Sequence, residues 1–236
     1  MERSVLNEQR QRPCIFVGLI FALVGVQLLW WPGIANLWLP TDLVAYNLAS
    51  QAMDWAAALF LVGLVVMCER EKLASLGFRK LDAETFAAGM GLGAFFVIGS
   101  ILFMFLWNAL WPQLSAAGDG VDPASLPFHF VYWYPLLALV TAAVAEEIIF
   151  RGYALERLLR LNVPPFVAIA LVQIAFALYH MKDGLFSVVN VALVGVLFSL
   201  YYARYRNLTM TIVAHALIDA LAIVGYFPAS GNRRSA

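Results

Sequence analysis

Residues 128–161 read FHFVYWYPLLALVTAAVAEEIIFRGYALERLLRL. The first part of this run is apolar enough to cross a bilayer, yet Glu146, Glu147 and Arg151 stand near its middle. Beyond Phe150 the stretch ALERLLRL continues at helical spacing without a breaker until Asn162, Pro164 and Pro165, where proline rings clash with a continuing helix. The spacing therefore predicts one long transmembrane helix with charges half-way along it. An ionisable group in hydrocarbon costs at least about 2.5 kcal/mol, so charges in such a place mark a site or a pathway.

The rest of the chain supports a membrane setting. Of its 236 residues, 63% are hydrophobic and 13% are charged, where a soluble domain carries about a quarter. Since a spanning helix needs about 20 apolar residues, the candidates fall near 14–31, 49–68, 85–111, 128–161, 164–180, 184–203 and 208–227. The expected fold is all-α: a multi-pass transmembrane helical bundle of about seven spans. It reads as a single membrane domain over 1–236, with a four-helix core at 128–227 and accessory spans over 1–111. The basic start and apolar run of residues 1–31 have no small-residue cleavage site after them, which favours an uncleaved first span over a signal peptide.

Fifteen basic and fifteen acidic residues cancel, giving no argument for nucleic acid as a partner. Their distribution is uneven. Arg3, Arg10, Arg12, Arg70, Lys72, Arg79, Lys80, Arg151, Arg157, Arg160, Arg204 and Arg206 fall on one side, leaving Lys182, Arg233 and Arg234 on the other. By the positive-inside rule the first side, with the N-terminus, faces the cytoplasm. All seven tryptophans, at 30, 31, 38, 55, 107, 111 and 133, lie toward the outer ends and read as an interfacial belt. Residues 119–127 read as an outer loop. Cys14 and Cys68 end apolar runs without C-x-x-C spacing and read as small packing residues.

The polar residues of the spans form a pattern. Glu147 and Arg151 are spaced i and i+4 and share a helix face, while Glu146 is turned about 100° away. Glu146 lies about 22 Å before the Asn162–Pro165 turn and His180 about 24 Å after it, so antiparallel neighbours bring the two to similar depth. His215 and Asp219 repeat the i, i+4 spacing. One Glu held by an Arg, with a second facing a His, divides two carboxylates between a fixed ion and a base able to activate water. Helix-to-helix hydrogen bonds account for isolated polar residues, and a proton relay is a further use of such chains.

E-E-x-x-x-R at Glu146 to Arg151, F-x-x-x-H at Phe176 to His180 and H-x-x-x-D at His215 to Asp219 resemble three ordered motifs of the CPBP family. That family holds the CAAX-prenyl-endopeptidase type of intramembrane proteases and the related bacterial Abi, or bacteriocin-immunity, proteins. The resemblance covers roughly residues 130–227. It implies that Glu146 is the general base and His180 its partner, that Glu147 and Arg151 order the site or engage the peptide, and that His215 and Asp219 stabilise the oxyanion. The substrate it implies is a membrane-associated peptide or protein, with or without a lipid, and the setting is a cell membrane, in bacteria the inner one. The alternative within the resemblance is a non-proteolytic immunity or scaffolding protein.

Position 219 departs from the familiar Asn. An ionised Asp repels an oxyanion, so Asp219 is either protonated or orients His215 by accepting its ring N–H. Two His and three carboxylates are also a ligand set for zinc, but H-E-x-x-H is lacking and no cofactor is expected. Glu156, Arg157 and Arg160 read as a solvated helix face, and Gln173, Asn190 and His129 as bundle or interfacial polar groups.

Overall fold

The computed structural model describes residues 2–35, 37, 39–114 and 128–231. Trp38, the 119–127 loop, Arg233 and Arg234 lie outside the described residues, as do the side chains of His129 and Lys182. The described residues fold into seven helices. Helix α1 is α-helical over Glu2–Ile20 and Val26–Leu29 with a π-helical turn, Phe21–Gly25, between. Helix α2 is Leu43–Gly63 with a π-helical end at Leu64–Cys68, and α3 is Ala83–Leu110. Helix α4 runs through Phe128–Thr141, two π-helical stretches at Ala142–Glu146 and Ile148–Leu155, and Glu156–Arg160. Helices α5, α6 and α7 are Pro165–Tyr179, Gly184–Tyr205 and Leu208–Gly231.

Local chemistry sets several ends. Asp42 and Asp82 cap α2 and α3 by accepting from the amides of Ala45 and Thr85, each at 2.9 Å. Hydrogen bonds from Thr85 hold the Asp82 carboxyl below the usual carboxylate range. Pro164 and Pro165 start α5 as expected, and Gly184, at φ 86°, opens α6.

Five helices are long and apolar enough to cross a membrane: Gln11–Leu29, Val44–Cys68, Ala83–Leu110, Trp133–Arg160 and Gly184–Tyr205. One of the seven expected spans is shorter. Pro165–Tyr179 has 15 residues, about 22 Å at helical rise, against a hydrocarbon core of about 30 Å.

Two apolar cores hold the bundle. The larger joins α1, α2, α4 and α5 through Ala22, Val26, Leu61, Phe150, Tyr153 and Val172. The smaller joins α3, α6 and α7 through Phe96, Phe198 and Ala214. Helix α7 lies along α3 because Gly89 and Gly93 present no side chain there: a Cβ on Gly93 would stand 2.8 Å from the Ala214 carbonyl oxygen.

Four expectations are corrected. Glu156 and Arg157 are buried, not solvated. Arg157 Nε donates to Glu69 Oε2 at 2.8 Å and Tyr153 donates to Glu69 Oε1 at 2.8 Å, while Glu156 accepts from Arg160, Arg206 and Tyr202. A charge neutralised inside the protein carries no topological vote, so Arg151 and Arg157 drop out of the positive-inside argument. Cys14 and Cys68 are joined as a disulfide, because α1 meets the end of α2 with the two Cα atoms 6.0 Å apart. The aromatic belt is partial. Trp31, Trp111 and Trp133 are exposed, but Trp30 and Trp107 are buried against Tyr179 and Phe186.

Candidate active site

The charged residues of α4 sit where its helix widens. A π-helical turn lets i→i+5 hydrogen bonds replace the α pattern, a local irregularity frequent at functional sites. Glu147, fully buried, accepts from Arg151 Nη1 at 2.9 Å. The Arg151 guanidinium lies 4.4 Å over the Phe176 ring and 5.5 Å from that of Phe198, and its Nη2 donates to the Gly195 carbonyl at 3.4 Å. Gly195 is needed for this approach, since a Cβ there would run into Gln173 and Arg151.

From α7, His215 Nδ1 stands 3.1 Å from the same Glu147 Oε1. A carboxylate paired with Arg only accepts, so Nδ1 carries the proton and donates. Glu147, not Asp219, is thus the acceptor of this ring N–H. His215 Nε2 then faces Asp219 Oδ2 at 3.6 Å and Glu146 Oε2 at 4.0 Å, beyond direct hydrogen bonding.

Those two oxygens, with Glu147 Oε2 and Arg151 Nε, are buried and have no hydrogen-bond partner among the described residues. Buried polar atoms are nearly always partnered, so this concentration of exceptions points to bound water or a polar substrate. Beside them is a cavity of about 120 Å³, with Arg151, Phe176, His180, Asn190, His215 and Asp219 in its walls. A cavity of that size admits water.

His180 caps the end of α5 and reaches the cavity wall, stacked edge-on against Phe176 at 4.7 Å and Tyr179 at 5.0 Å. Its Nδ1 lies 2.9 Å from the Phe176 carbonyl, which only accepts, so Nδ1 donates. Phe176 therefore both walls the cavity and carries Arg151. The imidazole found against Glu146 is that of His215. Gln173 accepts from Ser199 at 3.2 Å, as a bundle hydrogen bond should.

Two residues were missed. Asp54 on α2 is 6% exposed, accepts from Tyr179 at 2.8 Å, and its charge acts on Glu146. It is the lone acid within an apolar span, and the cost argument applied to α4 would have flagged it. Ser100 of α3 also lines the cavity and gives no sequence signal. Among the described residues, no three His, Cys, Asp or Glu side chains are grouped as metal ligands.

Comparison with known proteins gives one family. Residues 128–221, which hold all seven motif residues, match the model of type II CAAX prenyl endopeptidases, Rce1-like. No curated protein and no solved structure matches the chain.

Proposed function

Because residues 128–221 are a domain of the Rce1-like type II CAAX prenyl endopeptidase family, we propose that this protein is an intramembrane endopeptidase. It hydrolyses a peptide bond of a membrane-associated, CAAX-like substrate with water activated by Glu146 and His180. The observation that carries the reading is the pair of buried oxygens on Glu146 and Asp219, unpartnered among the described residues and both facing His215 Nε2, with His215 and Asp219 in the wall of a cavity.

Glu146 takes a proton from the water as the water oxygen bonds to the scissile carbonyl carbon. The carbonyl π electrons move to its oxygen, giving a tetrahedral oxyanion. When the C–N bond breaks, the proton on Glu146 passes to the leaving nitrogen, and the carboxylate is restored. His180, in the wall of the cavity, helps to hold the water. Glu147 and Arg151, fixed to each other and to His215, keep the imidazole in one tautomer. The N-terminus lies in the cytoplasm and the protein in the cell membrane, the inner one if the source is bacterial.

The test is a mass-spectrometric comparison of peptide C-termini from cells expressing the wild type or Glu146→Gln at matched levels. Glu146→Gln nearly keeps shape but removes the base, so termini made by the wild type should fall at least about a hundredfold. Termini that persist in the variant would remove Glu146 from the chemistry.

A further inference from the structure

Position 219 holds an acid where an oxyanion needs a hydrogen-bond donor, and His215 Nδ1–H is already given to Glu147. The Arg151 guanidinium is itself part of a motif and is held by Glu147 and the Gly195 carbonyl. Outside the three motifs the cavity wall holds two further polar side chains.

At the outer end stand Ser100 on α3 and Asn190 on α6. Their depth follows from two stacked ring pairs that tie these helices together. Phe96 stacks on Phe198 at 4.7 Å, and Phe103 stacks on Phe186 at 5.6 Å. Residue numbers rise along α3 as they fall along α6, so the helices are antiparallel and Ser100 and Asn190 lie level between the ring pairs. They form a polar layer inside an aromatic clamp. Ser100 Oγ is buried without a hydrogen-bond partner among the described residues, and Asn190 is half-buried in the same wall. Val191, Val194 and Ile218 make the rest of that end apolar, so a carbonyl oxygen there meets few other donors.

We propose that the Asn190 side-chain amide, with the Ser100 hydroxyl beside it, is the donor to the scissile carbonyl oxygen as it becomes an oxyanion, the part that Asp219 as a carboxylate does not fill. The inference rests on the endopeptidase reading. It makes α3, which lies outside the matched family segment, a wall of the reaction site. Because the amide meets the oxygen most strongly when charge develops there, it acts on kcat more than on KM.

The test uses the full-length protein in detergent and a quenched fluorogenic peptide ending in a farnesylated cysteine and three further residues. Asn190→Ala and Asn190→Asp should each lower kcat about a hundredfold with KM within about twofold, the size of a lost oxyanion donor. Asn190→Gln, which keeps an amide, should retain at least about a tenth of the wild-type kcat. The proposal falls if Asn190→Ala stays within about threefold of wild type, if only KM changes, or if Asn190→Gln is as slow as Asn190→Ala, which would make the role one of shape. A wild type that releases no product sinks the endopeptidase reading, and this carbonyl site with it.

Discussion

Arg157 and Glu69 show how far a buried pair depends on both members. Arg157 is fully buried, and its guanidinium also donates to the Ser75 carbonyl and hydroxyl, each at 3.1 Å. Removing one partner from such a pair leaves an uncompensated charge and costs about 3–5 kcal/mol, whereas removing both is far milder. Arg157→Met should therefore lower the thermal midpoint of the detergent-solubilised protein more than the double variant Arg157→Met, Glu69→Met does. A double variant as unstable as the single one would show that packing, not charge, is what Arg157 supplies. The Glu147–Arg151 pair was legible because its partners are one turn apart. The Arg157 pair was not: Glu69 is 88 residues away, and only the fold reveals it. Residues 156–160 therefore resemble the solvated end of any amphipathic helix.

The same limit acts on whole elements. Helix existence was legible from apolar run length and from Pro164 and Pro165, and so was the shortness of α5, read as 164–180 and found as Pro165–Tyr179, but the π-helical widening of α4 depends on packing that run length does not encode. The close approach of α3 to α7 did have a sequence sign, Gly89 and Gly93 spaced i and i+4, which an apolar count passes over. Gly93→Ala would place its methyl 2.8 Å from the Ala214 oxygen and 3.1 Å from its Cα, backbone atoms that yield only if α7 shifts. His215 is the next residue on α7. The substitution should cost about 1–3 kcal/mol of stability and lower the proposed peptidase rate at least about tenfold. Gly99→Ala is the control, because a Cβ there meets nothing within 4 Å. Equal effects from the two would mean that helix propensity, not the α3–α7 contact, is being measured by the thermal and rate assays.

For the molecule as a whole, two physical arguments about orientation pull apart at one end. Arg70, Lys72, Arg79 and Lys80 assign that end to the cytoplasm, whereas the Cys14–Cys68 disulfide beside them belongs in an oxidising compartment. The charge rule acts during insertion, when the chain chooses a side, and a disulfide can form only after the helices have met. We therefore expect the basic end in the cytoplasm. Cys68 lies at an exposed position, so a membrane-impermeant maleimide added after reduction reads the side directly. Labelling should occur in inverted vesicles and not in right-side-out ones, and the Cys14→Ala, Cys68→Ala variant should show none. Labelling confined to right-side-out vesicles would reverse the topology and carry the cavity's basic flank out of the cytoplasm. Labelling of inverted vesicles before any reductant is added would keep the topology and show that the pair is held as thiols in the cell.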